Sequence, residues 1–285
     1  MSQLSLVFFT VLAQSAVGMF IALGLVEMLG KPSDSSAEKA MNKAFISVWV
    51  ILGVAALASI THLGQPLRMF NVIFGLEHMS ALSLEIVGLS LFGGVGVTFT
   101  GLKLFNLMPA IRKLLLPIAM ILGVVFILLI ANVYTLETVP TWNTDWTCFQ
   151  FIMTAAVVGP ISAATVLRLF SGKLGKVQSM ADKALATCGW LALVVAMTGY
   201  AGYLFWLGQL DITGNPFTME DYHLNLVMVR SALLMAGMMF WVVSALRGNN
   251  SNSTIALIGM LMVLAGELTS RVFFYDIYIS ASAGM

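Results

Sequence analysis

The sequence predicts an all-α, polytopic integral membrane protein with eight transmembrane helices in a bundle. Three observations predict it. The 285 residues are 59% hydrophobic and only 9% charged, whereas soluble domains carry about 25% charged residues. Eight apolar runs reach the roughly 20 residues that a helix needs to cross a bilayer. The connectors between them are short, carry Gly, Pro, Asn and Asp, and leave no room for a soluble module. Residues 1–285 therefore read as a single transmembrane domain whose solvent is the lipid bilayer.

The first span, Leu4–Leu29, has no Lys or Arg before it and is too long for a signal-peptide core, so it is expected to be retained. Gln14 and Ser15 lie in its middle and read as polar groups between helices. The second span, Ala44–Leu63, closes in Thr61-His62-Leu63-Gly64-Gln65-Pro66-Leu67-Arg68. The third, Ser80–Gly101, opens with Ser80-Ala81-Leu82-Ser83-Leu84-Glu85. The fourth, Leu114–Leu136, finishes with Asn132 and Tyr134, and Val139-Pro140-Thr141-Trp142 after it reads as a helix end with a membrane-anchoring Trp. In the fifth, Cys148–Phe170, the pair Gly159-Pro160 is expected to produce a local kink. The sixth and seventh are Leu185–Leu207 and Tyr222–Leu246, the latter with Arg230 near its start. The eighth, Thr254–Ile277, carries Glu267 and Arg271 at i and i+4, a spacing that lets them pair on one face. Arg230 is a complement for Glu85 or for another acid.

Lys and Arg set the orientation. The odd connectors and their flanks hold Lys31, Lys39, Lys43, Lys103, Arg112, Lys113, Arg168, Lys173, Lys176, Lys183 and Arg247, whereas the even connectors and both termini hold only Arg68. Both termini should therefore face away from the cytoplasm. That outer face gathers Glu77, Glu85, Glu137, Asp145, Asp211, Glu220, Asp221, Glu267 and Asp276, with Trp142, Trp146, Trp206, Tyr222, Tyr275 and Tyr278. The connector acids read as a solvated rim and the aromatics as an interfacial belt.

Two residues stand out chemically. Glu85 sits about five residues into an apolar span, roughly 8 Å at the helical rise. A charged carboxylate in lipid costs on the order of 3 kcal/mol or more, so Glu85 is expected to face the bundle interior. His62 lies near the same membrane face. Each alone is compatible with a structural hydrogen bond; an imidazole and a carboxyl at one depth favour a proton-handling site. Other chemistry is excluded. Cys148 and Cys188 are too few for an iron–sulfur cluster, which takes about four thiolates. His62, His78 and His223 supply no facing pair for a haem and no metal site. There is no phosphate-binding loop and no nucleic-acid signature. The nineteen methionines read as flexible apolar filler.

Several ordered segments together resemble the membrane-anchor subunit of anaerobic dimethyl sulfoxide reductase, the DmsC-like family. They are Phe9-Thr10-Val11-Leu12-Ala13-Gln14; His62-Leu63-Gly64 with Pro66, Arg68 and Phe70-Asn71; Ser80-Ala81-Leu82-Ser83 with Glu85-Ile86; Val133-Tyr134 with Thr138-Val139-Pro140-Thr141-Trp142; and Ala265-Gly266-Glu267-Leu268 with Arg271 and Phe273-Phe274-Tyr275. The stretch from Pro66 to Ser80 matches less well and the Lys-rich connectors hardly at all. The resemblance implies an eight-helix anchor without haem in a bacterial inner membrane. It implies that the subunit binds and oxidises menaquinol and passes electrons to an iron–sulfur subunit, which relays them to a molybdopterin catalytic subunit. It places the quinol at the positions of His62 and Glu85, with Gln14, Arg68 and Tyr134 as further pocket candidates. It leaves two alternatives: the anchor of a related polysulfide, tetrathionate or sulfur-oxidising complex, and a secondary transporter. Transporters also carry acids in broken helices, usually with inverted repeats; no repeat is evident here.

Overall fold

The computed structural model describes residues 2–30, 35–61, 78, 80–170, 175–212, 215, 217, 221–247 and 253–280. Among them are eight helices: α1 (Ser2–Gly30), α2 (Ser35–Ile60), α3 (Ala81–Leu104), α4 (Pro109–Tyr134), α5 (Asp145–Phe170), α6 (Gly175–Gly208), α7 (Asp221–Leu246) and α8 (Ser253–Asp276). All eight are long and apolar enough to cross a membrane. The protein is a multi-pass membrane protein.

Helices α2 and α6 begin about nine residues before the apolar runs that predict them. The added turns contain charged residues, which continue a helix outside hydrocarbon as readily as apolar ones do. Two cations that read as solvated flanks turn into the bundle instead. Lys103 of α3 is buried and its ammonium is 2.5 Å from Glu27 of α1. Arg168 of α5 pairs with Asp182 of α6 at 2.8 Å. Both pairs lie at the far end of the bundle, where α1 and α5 finish. A charge at a helix end reads as a solvated flank from sequence. Here a partner on a neighbouring helix lets it turn inward.

Helix α1 packs against α2, α4, α5 and α8 and is one of the two most enclosed spans. Small residues make the closest contacts possible. A Cβ on Gly18 would collide with the Ala155 carbonyl, and one on Gly159 with the Gly18 backbone. Helix α5 runs unbroken through Gly159-Pro160, so the glycine there serves a helix crossing. A second seam joins α7 and α8. A Cβ on Gly237 would lie 2.7 Å from the Gly259 carbonyl, and one on Gly266 would lie 3.2 Å from the Arg230 carbonyl. These two seams set the relative heights of α1, α5, α7 and α8. They thereby fix which polar side chains meet near the start of α1 and the end of α8, the near end of the bundle.

Candidate functional site

Glu85 lies in the second turn of α3 and is 6% exposed, facing inward as its cost in lipid requires. One turn further on, Gly88 lets α3 close on α4, since a Cβ there would meet Leu129 at 2.7 Å. The close approach holds the Glu85 end of α3 against the end of α4, where Tyr134 sits. Among the described residues none forms a hydrogen bond with the Glu85 carboxyl, but it lies within electrostatic range of the Tyr134 and Tyr275 hydroxyls.

Those two tyrosines form one unit. Tyr275 of α8 donates its hydroxyl to the Tyr134 oxygen at 2.6 Å, and the rings meet edge to face. Trp142 packs against both and stacks on Phe274 with ring centroids 5.1 Å apart. Its indole N–H donates to the Phe274 carbonyl at 2.7 Å, and the Thr141 hydroxyl donates to the Ile277 carbonyl at 2.9 Å. These bonds satisfy carbonyls that the end of α8 would otherwise leave orphaned. Trp142 and Tyr275 are thus buried packing residues, in contrast to the interfacial belt that their place near the outer face predicts. Tyr222 and Tyr278 are exposed as that reading expects.

Deeper in the bundle, Arg271, Gln14, Thr154, Glu267 and Arg230 form a buried polar cluster. Arg271 Nη2 donates to Gln14 Oε1 at 2.9 Å and approaches Thr154 Oγ1 at 3.4 Å. Thr154 donates to Glu267 Oε2 at 2.6 Å, and Arg230 Nη2 lies 3.6 Å from Glu267 Oε1. The guanidinium carbons of Arg271 and Arg230 sit 3.6 and 3.8 Å from the ring centroids of Phe151 and Tyr200. The expected direct pair of Glu267 with Arg271 is not what forms. The Gly266 seam brings Arg230 onto Glu267, while Arg271 turns toward α1 and α5 and reaches Glu267 only through Thr154. Arg230 accordingly complements Glu267, the other acid that its position left open. Gln14 Nε2, Arg271 Nη1, and Arg230 Nε and Nη1 have no hydrogen-bond partner among the described residues.

Of the sequence-predicted residues, the structure brings Glu85 and Tyr134 together and places Gln14 with Arg271. His62 and Arg68 lie outside the described residues. Ser15 bonds its own helix at the Val11 carbonyl, 2.6 Å away, and among the described residues bonds no neighbouring helix. Sequence reasoning missed Tyr275 and Thr154 as members of the site. Arg271 and Tyr275 stand at i and i+4 on α8, which places both on one face and was a readable signal. Thr154, one hydroxyl in a run of small residues, gave none.

The DMSO reductase anchor subunit (DmsC) family model matches residues 1–277. The protein belongs to the DmsC family. It is 32% identical to the C subunit of the anaerobic dimethyl sulfoxide reductase of Escherichia coli strain K12, covering 96% of this sequence and 94% of that one. It is 31% identical to the YnfH subunit of an anaerobic dimethyl sulfoxide reductase from the same strain, with the same coverage. Identity to the C subunit of the Haemophilus influenzae enzyme is 28%, over 98% of this sequence and 95% of that one. No solved structure matches it. The DmsC family is a family of membrane anchors, which agrees with eight apolar spans and short connectors.

Proposed function

We propose that this protein anchors a molybdenum-containing respiratory reductase, binds menaquinol at Glu85 and His62, and passes electrons to an iron–sulfur subunit. The observation that carries the proposal is Glu85, a carboxyl buried at membrane depth and left without a described hydrogen-bond donor. Family membership supports the anchor role; the quinol and its direction of oxidation rest on the chemistry of the residues and on the resemblance. Menaquinol releases two electrons and two protons when it becomes the quinone. Its hydroxyls need acceptors within about 3 Å that can take those protons. The Glu85 carboxylate takes one, and His62 the other in its neutral form. The two electrons leave to the iron–sulfur subunit and then to the molybdopterin subunit.

An apolar groove of about 280 Å³ between α1, α4, α5 and α6 supports a lipid-like substrate. Its lining includes Gly18, one turn from Gln14, and Ile152 and Ala155, which flank Thr154, and it runs on past Leu25 and Leu185. Its lining suits an isoprenoid tail, which needs apolar contacts alone.

The test is redox spectroscopy of bound quinone in the purified complex. Glu85→Gln keeps the size of the side chain but removes the base, and His62→Arg adds bulk and a fixed charge. Both should deplete or shift the bound-quinone signal, His62→Arg more severely. An unchanged signal in both variants would move the quinol elsewhere.

The Lys/Arg bias supports an inner-membrane orientation with both termini in the periplasm, and the iron–sulfur subunit docked on that face. A membrane-impermeant thiol reagent should label a cysteine introduced at Asp211 and miss one introduced at Lys176. The reverse pattern would invert the topology.

A further inference from the structure

Among the described residues, Arg271 has no carboxylate of its own. It is 3% exposed in a membrane span, and its two polar contacts, Gln14 and Thr154, are uncharged. The acid nearest along α8, Glu267, is already engaged by Arg230 and by the Thr154 hydroxyl. Among the described residues the deep cluster therefore holds two guanidiniums and one carboxylate, an excess of one buried positive charge. An isolated buried cation is costly and calls for a counter-charge.

Glu85 is the opposite case, a buried acid with no described cation in contact. Between the two stands the Tyr275–Tyr134 hydroxyl pair. Tyr275 follows Arg271 by one helical turn on the same face of α8, and Tyr134 ends α4 beside Glu85. The two hydroxyls lie 2.6 Å apart, and each can donate or accept, so the pair can relay polarity in either direction. Among the described residues of the helices around α3, other titratable side chains are scarce near Glu85. Residues 4–26 of α1, 48–60 of α2 and 118–134 of α4 contain only one titratable side chain, Tyr134.

We propose that Arg271 and Tyr275 are positioning residues of the quinol site: the Arg271 cation, acting through the Tyr275–Tyr134 pair, balances and orients the ionised Glu85 carboxylate. This inference rests on the quinol reading above. In its ionised form, Glu85 offsets the excess positive charge. When a quinol O–H bond breaks, its proton passes to the Glu85 oxygen and its electrons pass to the iron–sulfur subunit. Glu85 becomes neutral and the cluster regains one net positive charge. That charge favours release of the proton from Glu85 before the next quinol arrives.

The assembled complex tests this with a water-soluble naphthoquinol as donor, and with a reduced dye that feeds the partner subunits directly. Arg271→Gln should lower naphthoquinol-driven turnover at least about tenfold at neutral pH and leave dye-driven turnover intact. It should also move the acid limb of the quinol-driven pH profile about one unit upward, because Glu85 loses the cation that favours its charged form. Tyr275→Phe keeps the ring and its packing and should move the same limb in the same direction by less. If Arg271→Gln fails to assemble, Tyr275→Phe decides alone. An acid limb left in place in every assembling variant overturns the proposal. The Glu85→Gln complex separates the two readings. If it loses quinol-driven turnover while the Arg271 and Tyr275 variants keep the parent profile, the quinol site stands and this inference fails. If Glu85→Gln itself turns over normally, the quinol reading fails and the positioning role fails with it.

Discussion

Two buried arginine clusters in this protein are built to different standards. At the far end, Arg168 meets Asp182 through two parallel bonds, Nε to Oδ1 at 3.3 Å and Nη2 to Oδ2 at 2.8 Å, and Nη1 donates to Ser244 at 3.3 Å. Every guanidinium nitrogen has a partner, and the arginine has a carboxylate of its own. At the near end, Arg230 and Arg271 share one carboxylate, and three of their nitrogens have no described partner. Buried donors are nearly always satisfied in native proteins, so an unsatisfied group calls for an explanation. The far cluster is complete in itself and ties α5, α6 and α7 together. We propose that the near cluster is completed by Glu85 and the quinol it meets.

The difference makes the two clusters separable by mutation. The largest stability effect should come from the complete one. Arg168→Ala removes a bidentate partner from a buried carboxylate, and breaking such a pair costs about 3–5 kcal/mol. The expected result is faster thermal inactivation of the complex with an unchanged ratio of quinol-driven to dye-driven turnover. Replacing both partners, as Arg168→Met with Asp182→Leu, should recover most of that loss. A fall in the ratio for Arg168→Ala would erase the distinction between the clusters. A smaller effect is expected at the α1–α5 crossing. Gly18→Ala forces the helices apart and should cost roughly 1–3 kcal/mol, as overpacking does. Because Gln14 lies one turn from Gly18 and Thr154 is next to Ala155, the quinol ratio should fall in step with stability. A Gly18→Ala protein with parent stability would mean that this crossing is looser than the Gly18–Ala155 contact implies.

Much of this is legible in the sequence, and the failures share a cause. Lipid leaves so clear a mark on composition that all eight spans are readable, and the penalty for a carboxyl in hydrocarbon is enough to turn Glu85 inward. Errors arise where a residue's role depends on another helix. Glu267 and Arg271 satisfy the i, i+4 rule on one helix, yet the glycine seam at Gly266 gives Glu267 to Arg230. Trp142 has the place of an interfacial anchor but caps the end of α8, because the connector after α4 folds back over Phe274. Lys103 and Arg168 look like cytoplasmic flanks and are buried by Glu27 and Asp182. In each case the local pattern is correct, and tertiary contact selects among the options it allows.

Whether Glu85 is the base at a quinol site or a structural group is decided most directly by one measurement. It is turnover of the assembled Glu85→Gln complex with two donors, menaquinol and a reduced dye that bypasses this subunit. Losing a positioned acid–base group typically costs about 10²- to 10⁴-fold in rate. A base at the quinol site requires a menaquinol-driven rate lowered by that order, with the dye-driven rate and the amount of assembled complex at parent levels. Parent-level menaquinol turnover, or an equal loss with both donors, would contradict it.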